Sequence, residues 1–269
     1  METIVSITTT KERLSIFFYA LQSLKKQKYD NYKIFINISE EPYLFDGGIS
    51  VVPEWMNGDN VQINFVKNSG PYRKLIPIID KLNVDDIIVT ADDDVLYSED
   101  WLKNIVKIAL KFPDFIICGR ARYIKKNIFG RFQNYQNWPI VIGAIEGFNI
   151  LPVGCSGIAY RIKLLDLDFL TDESYFKIAP TSDDMWFRIS SMRKNIKVYA
   201  DQKIDKSNAY IRHDFGLEQI NIFKKDINNY FLKRAFIGLT IELKNYLGIS
   251  LSKNDVSWKK ILHYSNSIS

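Results

Sequence analysis

Ile87-Ile88-Val89-Thr90-Ala91-Asp92-Asp93-Asp94 decides how this chain is read. A run of apolar and β-branched residues ends directly in three carboxylates. An apolar run this short, bounded by polar residues, suits a strand buried on both faces, as in a parallel sheet. Three adjacent like charges repel, and a fold tolerates them cheaply only where solvent, positive side chains or a divalent cation neutralise them. Hard cations such as magnesium and manganese take oxygen ligands, so carboxylates two apart at a strand end can share one ion. The plainer alternative is an acidic turn leading into a helix.

Toward the N-terminus, Thr3–Thr8 is a β-branched run, and Thr9-x-x-Glu12 has the form of a capping box that opens a helix. Leu14, Phe17, Phe18, Leu21 and Leu24 then recur at amphipathic helical spacing, and Lys33–Ser39 reads as a second strand. Strand, helix, strand in this order predicts a mainly parallel sheet with right-handed crossover helices, an α/β fold whose ligands collect at the carboxyl ends of the strands. A loop with Gly47, Gly48, Pro53 and Gly58 leads to a third strand, Val61–Val66. Asn68-Ser69-Gly70-Pro71-Tyr72-Arg73-Lys74 follows, and a helix over Leu75–Leu82 is expected to return the chain to the acidic strand. Trp101–Lys111 reads as the next helix and Phe115–Cys118 as a further strand. Tyr123 to Ile150 shows little periodicity, which points to a substrate-facing loop region.

With 269 residues, 46% of them apolar, the chain is expected to form one large domain. No stretch has the roughly 18 uninterrupted apolar residues of a spanning helix, and the opening residues read as strand instead of signal peptide, so a cytoplasmic location is expected. Cys118 and Cys155 have neither zinc-ligand spacing nor the numbers of a disulfide framework, and read as buried thiols. From Lys224 onward eight basic residues face three acidic ones, so the net charge of +5 resides in the tail. Apolar and aromatic residues interleave with those charges, which suits either a peripheral contact with an anionic membrane or a terminal helix packed on the core. The basic stripe is too sparse for nucleic acid.

Four segments, in this order, resemble a GT-A-fold glycosyltransferase of the family 2 type found in bacterial surface-glycan synthesis. They are the first strand ending in Thr8-Thr9-Thr10 with Arg13 nearby, the Asn68–Lys74 segment, the strand-terminal Asp92-Asp93-Asp94, and Gly154-Cys155-Ser156-Gly157 followed by Asp183-Asp184. The resemblance covers about residues 1–215 and divides the chain into a GT-A-like domain, 1–223, and a basic helical extension, 224–269. Within the domain, 1–118 would be the nucleotide-binding half and 119–223 the acceptor-facing half. It implies transfer of a sugar from a nucleotide-diphosphate donor, a UDP-sugar being commonest, to a hydroxyl of a glycan or lipid-linked saccharide. Inversion at the anomeric carbon and dependence on Mn2+ or Mg2+ are implied with it.

By the same resemblance Asp94 ligates the metal, with Asp92 and His213 as further ligands. Asp92 also meets the ribose side of the nucleotide, with Asp93 beside it. Thr8, Thr10 and Arg13 line the nucleotide pocket, and Glu40 faces the base. Asn68, Gly70, Arg73 and Lys74 serve the phosphates. Gly70 allows a tight turn near a ligand, and one of the two cations is expected to point inward while the other merely starts a helix. Gly154, Ser156 and Gly157 form a small-residue turn beneath donor sugar and acceptor. Asp184, or Asp183, is the general base; Ser182, Asp183 and Asp184 would equally suit a helix N-terminus. A sugar-phosphate nucleotidyltransferase would want a glycine-rich loop after the first strand, and Thr8–Arg13 contains no glycine. An inactive relative that binds glycan or nucleotide is the non-enzyme alternative.

Overall fold

A computed structural model of the chain describes residues 1–212 and 240–268. Its centre is an eight-stranded sheet of order β3-β2-β1-β4-β10-β6-β11-β8. The strands are β1 (Thr3–Thr8), β2 (Tyr32–Ile38), β3 (Val61–Phe65), β4 (Ile87–Ala91), β5 (Val95–Leu96), β6 (Ile116–Cys118), β7 (Ala121–Tyr123), β8 (Ala144–Gly147), β9 (Ile150–Pro152), β10 (Ile158–Tyr160), β11 (Val198–Asp201) and β12 (Ala209–Tyr210). β3, β2, β1 and β4 run parallel. β10 is antiparallel to both β4 and β6, and β8 is antiparallel to β11. The carboxyl ends of β1, β2, β4, β6 and β11 therefore meet at one edge, where Asp92 begins.

The β1–β4 pair shows why these residues form a central sheet. Ile4 and Ile88 face one hydrophobic cluster, while Val5, Ile7, Ile87 and Val89 face the other, in the period-two alternation of a sheet covered on both sides. Helices α1 (Leu14–Lys25) and α2 (Trp101–Lys111) cover the second face through Phe17, Leu21, Leu102 and Ile105. α3 (Leu167–Leu170), α4 (Tyr175–Ile178), α5 (Asp183–Arg193) and the C-terminal helix Lys253–Ser267 cover the first.

Three local expectations change. The capping box at Thr9 does not form: the Thr9 hydroxyl donates instead to Asp93 Oδ2 at 2.6 Å, and Glu12 Oε1 accepts from the Gly47 amide at 3.2 Å. A single 3₁₀ turn, Lys11–Arg13, leads into α1. Where one helix is expected over Leu75–Leu82, a 3₁₀ segment stands, Ile76–Lys81, directly after another at Gly70–Lys74, each with a proline in its first turn. Pro77 lacks the amide a continuous α-helix would use. The aperiodic stretch after Tyr123 carries β8 on the sheet edge and a 3₁₀ turn, Tyr135–Asn137, under the C-terminal helix.

The basic tail resolves, in its described part, as a packed helix. Trp258 is 2% exposed and Ile261 0%, inside the cluster that also holds Trp138 and Trp186. Its N-terminus is a capping box: Ser252 Oγ accepts from Asp255 N, and Asp255 Oδ2 accepts from Ser252 N. Asp255 Oδ1 accepts from Tyr135 N at 2.7 Å, which ties the helix to the loop region before β8. Among the described residues no helix is long and apolar enough to cross a membrane.

Candidate active site

A cavity of about 1090 Å³ opens at the carboxyl edge of the sheet. Thr8, Thr10, Arg13, Gly70, Arg73, Lys74, Asp92, Asp93, Asp94, Gly154, Asp183 and Asp184 all line it, although they come from five separate stretches of chain.

The carboxylates are held by three cations. Arg13 Nη2 stands 2.9 Å from Asp93 Oδ1 and 2.6 Å from Asp94 Oδ2. Lys74 Nζ lies 3.2 Å from Asp92 Oδ1, 2.8 Å from Asp183 Oδ2 and 3.8 Å from Asp184 Oδ1, so one ammonium joins the strand-end cluster to the start of α5. Arg73, 1% exposed, pairs with Asp46 at 2.9 Å and donates to the Thr9 carbonyl at 3.0 Å. Both Arg73 and Lys74 thus point inward; neither is a mere helix-start cation. Asp92, Asp93, Asp94, Asp183, Asp184 and Asp46 outnumber these cations two to one, which leaves surplus negative charge at the strand ends.

Burial dominates the titration of the cluster. It pushes Asp93 up to about 6, against the opposing charge of Arg13. It pushes Asp184 up to about 7, against Lys74, with Asp183 and Asp92 adding to the rise. Asp92 is raised for the same reasons. Burial works against the Lys74 ammonium, yet Asp183, Asp92 and Asp184 hold its pKa well above the usual lysine value.

Asp183 and Asp184 differ in setting. Asp183 is buried against Lys74, whereas a quarter of the Asp184 side chain faces the cavity. Asp184 Oδ2 accepts from the Gly154 amide at 2.9 Å. A β-carbon on Gly154 would come within 3.0 Å of Asp184 Oδ1 and 2.9 Å of Lys74 Nζ, so the turn needs glycine for close approach. Ser182 precedes α5 without capping it by its side chain.

Some expected residues fall outside the cavity wall. Glu40 is exposed at the surface. Asn68 braces the loop beneath: Nδ2 donates to the Glu41 carbonyl and Asp46, and Oδ1 accepts from Gly70 N. The Ser156 carbonyl accepts from Trp101 Nε1 at 2.8 Å. Gly157, at φ +89, packs on the Trp101 ring, which a side chain would strike. His213 lies outside the described residues.

A family model for glycosyl transferase family 2 matches residues 6–168, more than half of the chain. The chain belongs to glycosyl transferase family 2. No curated protein matches this family 2 chain. The structure of S. aureus TarS 1-349 matches with a TM-score of 0.48 and 17% identity over 75% of this chain and 60% of that one. TarS in complex with UDP gives 0.49 and 16%. The mannosyltransferase PcManGT from Pyrobaculum calidifontis, in complex with GDP-Man and Mn2+, gives 0.36 and 19%, over 44% of this chain and 34% of that one. The 4-diphosphocytidyl-2C-methyl-D-erythritol synthase of Anaerococcus prevotii DSM 20548 gives 0.47 and 12% over 79% of this chain and 91% of that one. The family 2 chain thus spans 60% of the matched TarS structure and 34% of the mannosyltransferase.

Asp46 is one residue of the cavity wall that sequence reasoning misses. Buried in the loop after β2, it accepts from Lys11 N and Gly48 N through Oδ1, and from Asn68 through Oδ2 while pairing with Arg73. Asp-Gly-Gly reads as an ordinary turn. The one signal pointing further is a buried cation in need of a partner at Arg73. Arg120, Arg122, Tyr135 and Tyr210 also line the cavity and carry no sequence motif.

Proposed function

We propose that the chain transfers a sugar from a nucleotide-diphosphate donor, a UDP-sugar, to a hydroxyl of a glycan or lipid-linked saccharide, with inversion. The observation that carries this is the position of Asp184: a partly exposed carboxylate, fixed by Gly154 N, in the same cavity as the strand-end Asp92–Asp94. A base and a diphosphate site in one cavity are what displacement at an anomeric carbon requires.

Thr8, Thr10 and Arg13 border the nucleotide, and Asp92 lies on its ribose side. The donor set suits a hard cation, because Asp92 and Asp94 both line the cavity and bring oxygen ligands two residues apart at the strand end. Among the described residues no three carboxylate, thiol or imidazole groups form a ready-made cage, so Asp94 and Asp92 would hold Mn2+ or Mg2+ together with diphosphate oxygens. When bound, such a cation neutralises charge developing on the departing diphosphate.

The remaining work falls to side chains. Asp184 takes the proton from the acceptor hydroxyl, and its pKa near 7 places it where a base is both deprotonated and strong at neutral pH. Gly154 N orients Asp184 Oδ2, and Lys74 steadies the carboxylate pair. Asp183, closer to Lys74 and more buried, is the positioning partner.

The test is incubation with a panel of nucleotide sugars and Mn2+, following release of nucleoside diphosphate. Metal-dependent release from one donor supports the reading. No release and no nucleotide binding across the panel would favour a glycan-binding protein.

A further inference from the structure

The cavity has two chemically distinct walls. On the first, Arg13, Arg73 and Lys74 are each committed to carboxylates. On the second, Arg120 and Arg122 pair with no carboxylate among the described residues at ion-pair distance, yet both line the cavity. Arg122 lies in β7 opposite Leu151, and Arg120, in the bend just before β7, is held alongside β9 by its carbonyl, which accepts from Val153 N.

Their supports are neutral. Arg122 Nη1 donates to the Trp138 carbonyl at 2.7 Å, and its guanidinium lies 4.6 Å from the centre of the Tyr135 ring. The Arg120 guanidinium lies 5.9 Å from the centre of the Tyr210 ring, whose hydroxyl donates to Asp205 Oδ1 at 2.5 Å. Backbone and aromatic faces thus hold two guanidinium groups in place, with Asp205 reaching Arg120 only from beyond ion-pair distance. Burial pushes the Tyr135 hydroxyl up, Arg122 opposes, and Asp184 adds to the rise, so this wall lies within electrostatic reach of Asp184. The Tyr135 amide is itself fixed by Asp255 of the C-terminal helix.

We propose that Arg120 and Arg122 form a phosphate subsite for the acceptor, so that the saccharide or polyol presented to Asp184 carries a phosphate group near its reacting hydroxyl. The inference rests on the transferase reading of the same cavity. Phosphate fits better than carboxylate because it offers oxygens to two guanidinium forks, where a carboxylate saturates one. Two sources share this chemistry, a phosphodiester-linked chain and the diphosphate of a lipid carrier.

The test uses the full chain saturated with UDP and Mg2+, titrated calorimetrically at low ionic strength with glycerol 3-phosphate, with glycerol and glucuronate as controls. Glycerol 3-phosphate should bind beside the nucleotide, and Arg122→Gln and Arg120→Gln should each weaken it about tenfold or more while leaving UDP–Mg2+ affinity within about twofold. Glutamine at position 122 keeps a donor for the Trp138 carbonyl, and the Arg120 variant tests the subsite independently if the first fails to fold. Tighter binding of geranyl diphosphate than of glycerol 3-phosphate would assign the phosphate to a lipid carrier, and the reverse to a polyol phosphate chain. Displacement of UDP by the phosphate ester, equal binding of glucuronate, or unchanged binding in the double variant would overturn the proposal. Failure of UDP–Mg2+ to bind at all would instead strike the donor reading, and the same titration of nucleotide-free chain would still decide the arginines.

Discussion

Lys74 Nζ lies 2.8 Å from Asp183 Oδ2, and through this contact the segment Gly70–Lys74 is fastened to the first turn of α5. The same ammonium touches Asp92, so the two halves of the cavity share one cation. Lys74→Met should leave Asp92, Asp183 and Asp184 without that charge. Transfer is expected to fall by about 10² or more, with the pH needed for activity moved upward. Unchanged kcat/KM and pH profile would show that the ion pairs are only structural.

Asp184→Asn should abolish transfer while preserving donor binding, a loss of about 10²–10⁴ in kcat. In the unsubstituted chain kcat/KM should rise with pH through about 7, where Asp184 releases its proton. A variant with full activity would move the base elsewhere.

The same carboxyl makes a prediction about stability. Its folded pKa, about 7, lies above the roughly 3.9 of an unfolded aspartate, so the folded chain binds the proton more tightly. Its contribution to stability is therefore present below about pH 4 and is lost as pH rises to about 7. Asp184→Asn should melt higher than the parent at pH 8, by about 2–4 °C for each kcal/mol regained, with the gap closing toward pH 4. Thermal unfolding across that range is the check. A lower Tm at pH 8 would mean that the Lys74 contact outweighs burial.

Gly154→Ala would push a methyl group against Lys74 Nζ and Asp184 Oδ1. Transfer should drop by about tenfold or more as the base is displaced, with little change in Tm because the lysine end can shift. Loss of stability without loss of rate would make this glycine a packing residue alone.

Trp258→Ala should cost about 3–5 kcal/mol, since the ring is buried against Trp138 and Phe132. Removing the C-terminal helix is expected to destabilise the whole chain, because Asp255 also fixes Tyr135 in the cavity wall. A truncated chain that melts as the parent does would return the helix to the role of an appendage.

The order of elements was legible because buried strands and amphipathic helices leave periodic traces: Ile87–Ala91 and Trp101–Lys111 stand where their patterns put them. The failures are tertiary. Thr9 and Glu12 carry the local signature of a cap, but Thr9 is claimed by Asp93, distant in sequence. Asp46 looks like turn chemistry until Arg73 arrives beside it. Arg120 and Arg122 lie between the Phe115–Cys118 strand and the stretch without periodicity, where no motif marks them, and only the folding of β7 against β9 brings both to one cavity. The described part of the tail reads equally as membrane helix or packed helix, because a sequence pattern records an apolar face without recording what covers it.

The central claim is that the Asp92–Asp94 strand end and Asp184 serve one nucleotide-sugar reaction. Its most direct measurement is calorimetric binding of UDP with Mn2+ and with chelator, to the parent chain and to Asp94→Asn. Binding that requires Mn2+ and disappears in Asp94→Asn, with the fold intact, is the predicted result. Nucleotide binding indifferent to both the metal and Asp94 would contradict it.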